Sequence, residues 1–365
     1  MDIKAFIRPD LLGLPGYHMG GIEQVSARLG IPVSEIIKLD ANENPYGPTP
    51  QARAALRGDL PVGIYPDADH TQLRAALGDY LGQPAAGIVC GNGSDEVIDL
   101  LVRLTVGPGE VVVQASPTFA MYSLYTKVAG GRMVDVPRGT DWRVDGAAVG
   151  AAVRRERAKL VFLPSPNNPD GSLLPRDVIL ELLQLPVLVV VDEAYAEFSG
   201  DTAVDLLAAH PNLVVLRTFS KWAGLAGLRI GYGVMHPALA ERMRAIKAPY
   251  NVNAVAQAAA LASLADRPVL AAHVALIVAE RERLHGLLAD LPNVTVLPSH
   301  ANFLLVQVGP QARAIKQALE GVGILVRDYG APPLNTYLRI SIGTPAQSDQ
   351  LVAAWQAALP ALENL

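Results

Sequence analysis

The chain has 365 residues, of which half are hydrophobic and 18% are charged, and its formal net charge is −5. A chain of this length exceeds the size at which one hydrophobic core usually keeps growing, so we expect two domains. The acidic balance excludes the basic footprint of a nucleic-acid-binding protein, and the apolar runs are too short and interrupted to predict a membrane span.

Cys90 is the only cysteine, which excludes an intrachain disulfide and indicates a reducing compartment. The first residues alternate between charged and apolar types and have no apolar segment typical of a signal peptide. We therefore expect a cytoplasmic protein. No metal site is predicted.

The first forty residues predict two short helical pieces without a core of their own, which we expect to pack across both domains. From about residue 85 to 235, short β-branched runs alternate with amphipathic stretches, which predicts an α/β domain with a largely parallel sheet. Most of the predicted strands are apolar throughout, as expected when helices cover both faces of a sheet. The strands are Ile88–Cys90, Val111–Gln114, Leu160–Leu163, Val187–Val191, Val214–Leu216 and Ile230–Val234, with helices at Glu96–Leu104 and Asp177–Gln184.

The composition changes after residue 235, where Ala-rich helical stretches are followed by strands that alternate with helices. This pattern indicates a smaller α+β domain. Its helices are predicted at His236–Lys247, Ala254–Asp266, Val269–Leu291, Gln311–Glu320 and Pro345–Leu359, and its strands at Val294–Leu297, Phe303–Val308, Ile324–Arg327 and Leu338–Ile342. The predicted division is an N-terminal segment 1–40, a large domain 41–255 and a small domain 256–365.

The segment Gly91–Glu96 follows a predicted strand and opens a helix. Its glycines allow a tight turn, and the N–H groups of the first helical turn attract an anion. Ser94 or Asp95 could equally be a plain N-cap. Since the Asp95 carboxylate repels an anion, we expect any such contact to come from backbone N–H groups.

The most informative segment is Thr218–Lys221, which is followed by a second cation at Arg229. A lysine among hydroxyl groups suits a cofactor that is both an aldehyde and a phosphate ester. Its amine can form a Schiff base, while Thr218, Ser220 and the guanidinium can hold the phosphate. Among the lysines of the chain, only Lys221 lies at a strand exit with hydroxyl neighbours.

Asp192 ends an apolar strand, which places its carboxylate at the sheet edge where α/β proteins bind ligands. A buried acid needs a cationic partner, and a protonated pyridine nitrogen is one. We expect Tyr195 and Asn168 to hydrogen-bond the oxygen on the same ring, and Phe119 to stack on the ring. With the lysine segment, these residues predict pyridoxal 5'-phosphate.

Eight segments spread over nearly the whole chain resemble those of fold-type I pyridoxal-phosphate aminotransferases, and within that group the histidinol-phosphate aminotransferases of histidine biosynthesis. The resemblance implies a large α/β domain with a mainly parallel sheet and a smaller α+β domain. The segments are Leu39–Pro45, Tyr65–Asp67, Gly91–Glu96, Pro117–Tyr122, Ser165–Gly171, Asp192–Tyr195, Thr218–Arg229 and Leu338–Thr344.

The resemblance also implies roles for single residues. Ser94 and Asp95 belong to the phosphate site, and Tyr65 reaches the phosphate from the partner subunit of a homodimer. Arg339 grips the acidic group of the substrate, and Arg327 is a second cation nearby. A last implied residue, Tyr17, lines the substrate pocket. One position departs from the pattern, since Asp170 stands where a Thr is usual before the glycine.

The implied reaction is a transamination in which glutamate gives its amino group to imidazole-acetol phosphate, forming L-histidinol phosphate and 2-oxoglutarate. Two alternatives use the same scaffold: an aromatic or broad-range aminotransferase, and a decarboxylase of an amino-acid phosphate such as threonine phosphate. A non-catalytic ligand sensor is a third alternative of another class. It is disfavoured because no DNA-binding module precedes the motifs.

Overall fold

The computed structural model describes residues 1–14 and 20–362, so Tyr17 lies outside the described residues. The described chain folds around two β-sheets. Its strands are β1 (Ile37–Leu39), β2 (Ile88–Asn92), β3 (Val111–Ser116), β4 (Arg132–Pro137), β5 (Leu160–Pro164), β6 (Leu188–Asp192), β7 (Leu213–Thr218), β8 (Ile230–Met235), β9 (Thr295–Val296), β10 (Phe303–Gln307), β11 (Ile324–Asp328) and β12 (Tyr337–Ser341).

The α-helices lie between these strands and cover the sheets, and short 3-10 turns occur at several of the connections. In the described part of the chain the helices are α1 (Ile22–Leu29), α2 (Pro50–Arg57), α3 (Thr71–Leu81), α4 (Ser94–Thr105), α5 (Met121–Val128), α6 (Gly146–Glu156), α7 (Arg176–Leu182), α8 (Ala196–Ser199), α9 (Pro237–Ile246), α10 (Ala254–Ala265), α11 (Arg267–Ala289), α12 (Ala312–Gly321) and α13 (Pro345–Leu362).

The large sheet has the strand order β2-β8-β7-β6-β5-β3-β4 within the described residues. In this sheet β8 is antiparallel to both of its neighbours, β2 and β7, and all other neighbouring strands are parallel. Alternate residues of a strand enter different cores: Val161 packs on one face of the sheet, while Leu160 and Phe162 pack on the other. Because both faces are covered, the strands are apolar throughout and not alternating.

The small sheet has the order β1-β11-β12-β10-β9. Its first strand comes from the N-terminal part of the chain, and Ile37 pairs with Ile324 in parallel. The same N-terminal part also contacts a helix beside each sheet. Arg8 donates to the carbonyl of Val128 on α5, and Arg28 forms an ion pair with Glu320 on α12. No described residue before Ile36 is buried. The boundaries at 40 and 255 stay a prediction.

Sequence patterns predicted most elements of both sheets, but not β1 or β4. The edge strand β4 carries Arg132 and Asp135, and it is only partly buried. Its polar residues interrupt the apolar pattern by which the other strands were predicted. An edge strand tolerates such residues because it is less covered than a central strand. Among the described residues no single helix is long and apolar enough to cross a membrane, whereas α10 and α11 pass that test only together and are bent by 83°.

Candidate active site

A pocket of ≈ 450 Å³ lies between the two sheets. The carboxyl ends of the parallel strands β5, β6 and β7 form its floor, since such strands end at the same edge of a sheet. The loop after β1 and the ends of β11 and β12 form the opposite wall. Of the predicted site residues within the described chain, all except Tyr65 line this pocket.

Lys221 follows the last residues of β7 and faces the pocket with a partly buried side chain. Its Nζ donates to the backbone carbonyl of Ala41 at 3.0 Å. Burial lowers the pKa of Lys221 to about 8, and the guanidinium of Arg339 is the largest charge that acts in the same direction. Arg229 also lowers the pKa of Lys221, but it contributes less than Arg339. A neutral amine is therefore accessible near physiological pH.

Asp192 is the last residue of β6 and is buried. Its Oδ2 accepts a hydrogen bond from the Tyr122 hydroxyl at 2.6 Å, and its Oδ1 accepts one from the Ala194 N–H at 3.1 Å. Burial raises the pKa of Asp192 to about 6. Within the described residues no cationic side chain forms an ion pair with this carboxylate.

Tyr195 lies beside this acid and is also buried. The Nδ2 of Asn42 donates to its hydroxyl oxygen at 3.0 Å, and Ser341 Oγ donates to Asn42 Oδ1 at 3.0 Å. Asn42 adopts φ = 56°, a left-handed conformation that asparagine tolerates better than most residues. Burial raises the pKa of Tyr195 to about 12, so its hydroxyl stays protonated and can donate to an oxygen in the pocket.

One end of the pocket is built from the start of α4. Gly93 precedes the helix with φ = 79°, and a Cβ there would collide with the Arg229 guanidinium. A side chain at Gly231 would collide with the backbone nitrogen of Ser94. Small residues therefore keep the first N–H groups of α4 open toward the pocket, which is the geometry that binds phosphate groups.

The hydroxyl and guanidinium groups predicted for the phosphate surround the same helix start. Thr218 Oγ1 donates to Ser220 Oγ at 2.9 Å. Arg229 Nη2 lies 2.9 Å from Asp95 Oδ2. The Asp95 carboxylate thus has a cationic partner, which reduces the repulsion that we expected it to exert on a phosphate.

The opposite end of the pocket contains Arg339 of β12. Its Nη1 donates to Asn168 Oδ1 at 2.7 Å and its Nη2 to the carbonyl of Asp40 at 2.6 Å, whereas its buried Nε has no hydrogen-bond partner in the described part of the chain. Because Asn168 uses its oxygen for the arginine, its Nδ2 is left as the group that can donate to a ligand. Arg327 also reaches the pocket, with its guanidinium 5.9 Å from the ring of Tyr329.

Tyr65 is the one predicted site residue in the described chain that does not line the pocket. Its side chain is 77% exposed, and its ring stacks on that of Tyr250 with centroids 4.5 Å apart. Tyr65 therefore does not contribute to the pocket of its own chain, and its role across a subunit interface stays a prediction.

Asp170 is buried but lies outside the pocket. Its carboxylate accepts hydrogen bonds from the Asn167 side chain and from the N–H of Ser172. The aspartate therefore takes part in the internal bonding of the loop and is not one of the groups that line the pocket.

Sequence reasoning gave no role to Tyr122 or Asn42, although both fix groups of the site. Both lie within the segments that carried the family resemblance. The only available signal for Tyr122 is a general one, since a tyrosine that becomes buried needs a hydrogen-bond partner for its hydroxyl.

The residues present fit pyridoxal 5'-phosphate. Asp192 is a buried acid without a cationic partner in the described chain, and leaving it so is unfavourable unless a group such as a pyridinium approaches it. Lys221 offers an amine of lowered pKa, and the start of α4 offers a phosphate cradle at the other end. The roles of the individual residues stay predictions.

Comparisons with known proteins agree with this geometry. Residues 34–354 match the family profile of aminotransferase class I and II. A histidinol-phosphate aminotransferase of Roseiflexus castenholzii is 52% identical over 96% of this chain and 97% of its own, and a chloroplastic one of Nicotiana plumbaginifolia is 43% identical over 95% and 85%. The crystal structure of the Sinorhizobium meliloti histidinol-phosphate aminotransferase in complex with pyridoxal-5'-phosphate superposes with a TM-score of 0.90, at 35% identity over 98% of both chains. The chain therefore belongs to the class I and II aminotransferases, has their fold-type I architecture, and groups among them with the histidinol-phosphate aminotransferases.

Proposed function

We propose that this protein is a pyridoxal-phosphate-dependent transaminase of histidine biosynthesis, which transfers the amino group of glutamate to imidazole-acetol phosphate. The products are 2-oxoglutarate and L-histidinol phosphate. The observation that carries the proposal is one pocket that holds a lysine of lowered pKa, two arginines and a buried acid without a cationic partner among the described residues. The chain is 52% identical to a histidinol-phosphate aminotransferase.

The cofactor, when bound, supplies an aldehyde carbon that carries the amino group and a ring that accepts electrons when its nitrogen is protonated. Asp192 would face that nitrogen and hold its proton in place. Tyr195 and Asn168 would donate hydrogen bonds to the ring oxygen and orient the ring. Lys221 Nζ, when free and neutral, moves a proton to and from the reacting carbon of the substrate.

The two arginines explain how one pocket accepts two different substrates. Glutamate presents a carboxylate at its far end, and imidazole-acetol phosphate presents a phosphate. A guanidinium binds either group with paired hydrogen bonds, so Arg339 and Arg327 serve both. The Nε of Arg339 supports this role, since it is buried with no hydrogen-bond partner among the residues that the structure describes.

We propose further that the enzyme is a cytoplasmic homodimer with shared sites. The exposed side chains of Val62, Ile64 and Tyr65 support a subunit interface at this loop, because clustered apolar side chains on a surface mark interaction sites. Mixing Lys221→Ala with Tyr65→Ala protein tests the sharing. Recovery of activity in the mixture is expected, and activity no higher than the sum of the separate variants would refute a shared site.

The proposed reaction is tested by an assay with glutamate and imidazole-acetol phosphate as the two substrates. Formation of both 2-oxoglutarate and histidinol phosphate is the expected result. A higher kcat/KM for phenylpyruvate as acceptor would instead indicate a broad-range aminotransferase. Carbon dioxide release from threonine phosphate without amino transfer would indicate the decarboxylase.

A further inference from the structure

Tyr122 of α5 is a buried tyrosine whose hydroxyl, within the described residues, hydrogen-bonds the acid of the site. Its side chain is fully buried, and its hydroxyl donates to Asp192 Oδ2 at 2.6 Å. The ring stacks on Phe162 with centroids 4.5 Å apart and planes 3° apart, and meets Phe119 edge-on. The aromatic packing therefore holds the hydroxyl in one place, directed at the carboxylate.

The two protein hydrogen bonds to Asp192 leave a defined direction for a third group. Ala194 N–H occupies Oδ1 and Tyr122 occupies Oδ2, while the carboxylate still lines the pocket. A carboxylate has about four lone-pair directions, so each oxygen keeps one for a ligand. A carboxylate anchored at both oxygens cannot rotate, which sets the position of any cation that it binds.

We propose that Tyr122 is a positioning residue, which acts through Asp192 to fix the carboxylate and keep it ionised, and so strengthens the binding of the cofactor's ring nitrogen. This inference rests on the proposed use of pyridoxal phosphate but not on the identity of the amino acceptor.

The electrostatics of the acid make such a donor necessary. Burial raises the pKa of Asp192 to about 6, and the charges of Asp95 and Glu193 act in the same direction, whereas the Tyr122 hydrogen bond lowers it. Tyr195 also lies close enough for its own pKa to be raised by Asp192. The pKa of Tyr122 is far above its usual range because of burial, so its hydroxyl remains a donor throughout the working pH.

The test is the affinity of the apoprotein for pyridoxal 5'-phosphate, measured by absorbance titration from pH 5.5 to 8.5 in wild type and Tyr122→Phe. Phenylalanine keeps the stack on Phe162 and removes only the donor. Hydrogen bonds to charged groups are strong, so we expect roughly a tenfold weaker affinity at neutral pH. We also expect the pH below which affinity falls to move upward by about one unit, since the carboxyl protonates more readily without the donor.

Tyr125→Phe is the matched control, because Tyr125 lies on the same helix, packs on the same core and is not among the pocket-lining residues. It should bind the cofactor as wild type does. Equal losses in both variants would assign the effect to the packing of α5 and overturn the proposal. An unchanged affinity and pH profile in Tyr122→Phe would overturn it as well.

A double-mutant cycle tests whether the effect passes through the acid. In an Asp192→Asn background, Tyr122→Phe should cause a much smaller further loss of cofactor affinity, since the carboxylate it acts on is absent. The same loss in both backgrounds would contradict the proposal.

A volume-conserving replacement keeps the test decisive if Tyr122→Phe does not fold. With 3-fluorotyrosine at position 122 the phenol is a stronger donor, and the affinity should fall off at a lower pH than in wild type. A shift to higher pH, or none, would refute the proposal.

Because these experiments measure cofactor binding, their outcome is independent of the two-substrate assay. A protein that binds the cofactor through Tyr122 and Asp192 but fails that assay would refute only the proposed reaction.

Discussion

Two groups of charges lie side by side at the ends of β6 and β7, and they differ in how they are compensated. Glu193 and Arg217 belong to a buried cluster in which the Arg217 guanidinium bonds Glu193 Oε2 at 2.6 and 2.9 Å and Glu197 Oε1 at 3.1 Å. The neighbouring residues Asp192 and Thr218 face the pocket, and Asp192 has no cationic partner among the described residues. One residue along each strand therefore separates an ion-paired cluster from a site whose acid has no such partner in the described chain.

The difference teaches how a ligand site can be distinguished from structural ion pairs in a buried environment. Strands alternate the faces that their side chains point to, so adjacent residues enter different surroundings. In the Arg217 cluster each buried glutamate forms an ion pair with the guanidinium, although Glu197 Oε2 has no hydrogen-bond partner among the described residues. Burial raises the pKa values of Glu193 and Glu197 as it does that of Asp192, so the absence of a cationic partner at Asp192 in the described chain, and not the pKa shift alone, distinguishes the pocket.

The largest expected effect is that of Lys221→Ala. The variant loses both the covalent attachment point and the proton carrier, so kcat should fall by roughly four orders of magnitude or more. Since the side chain makes one hydrogen bond, to Ala41, the fold should persist with a nearly unchanged Tm. Steady-state kinetics and thermal unfolding measure both; turnover above a trace rate would remove Lys221 from its central role.

Arg217→Met should break the structural cluster and not the chemistry. Removing the guanidinium leaves two buried glutamates uncompensated, which should destabilise the protein by about 3–5 kcal/mol. Arg176→Met, which removes an exposed partner of Asp205, is the control and should cost less than about 1 kcal/mol. Denaturant unfolding measures the free energy of unfolding of both variants. Equal decreases in this free energy would show that the buried cluster stabilises the protein no more than the exposed ion pair does.

Asp192→Asn should have opposite effects on stability and binding. The pKa of this carboxyl is raised in the folded state from 3.8 to about 6, so the fold binds its proton more tightly than the unfolded chain does. The apoprotein therefore loses stability as pH rises between these values, by up to about 3 kcal/mol. The asparagine variant avoids this loss.

We accordingly expect apo Asp192→Asn to be more stable than wild type above pH 6, with the difference vanishing near pH 4, and to bind the cofactor more weakly. Urea unfolding at several pH values and absorbance titration measure these effects. A variant less stable than wild type at pH 8 would mean that the hydrogen bonds from Tyr122 and Ala194 outweigh the desolvation of the charge.

A smaller effect is expected on the amine when Arg339 is replaced by Gln. Loss of this cation should raise the pKa of Lys221 from about 8 toward its ordinary value. The pH dependence of Lys221 acylation in the apoprotein, followed by peptide mapping, measures the change. Both half-reactions should also weaken, by roughly 10–100-fold, because one guanidinium binds both substrates; weakening of only one would contradict a shared anchor.

Sequence reasoning predicted the parallel sheet and the site residues at the strand ends because both leave local signals, whereas Arg327 and Arg339 followed only from the family resemblance. The apolar runs that end in Asp192 or lead to Thr218 identify the ends of strands. The carboxyl ends of parallel strands lie at the same edge of a sheet, so these residues are expected to be close together. The bond between Tyr122 and Asp192, which are 70 residues apart, could not be predicted this way. This bond depends on the packing of α5 against Phe162. Arg339 lowers the pKa of Lys221 more than Arg229 does, and this difference likewise depends on how closely the two sheets approach each other.

The covalent bond between position 221 and the cofactor can be tested directly by treating the protein with pyridoxal 5'-phosphate and borohydride and mapping the labelled peptide. A single label on Lys221, lost in Lys221→Ala and weakened in Asp192→Asn, is the predicted result. A stable label on another lysine such as Lys38 or Lys247, or no label at all, would contradict the account.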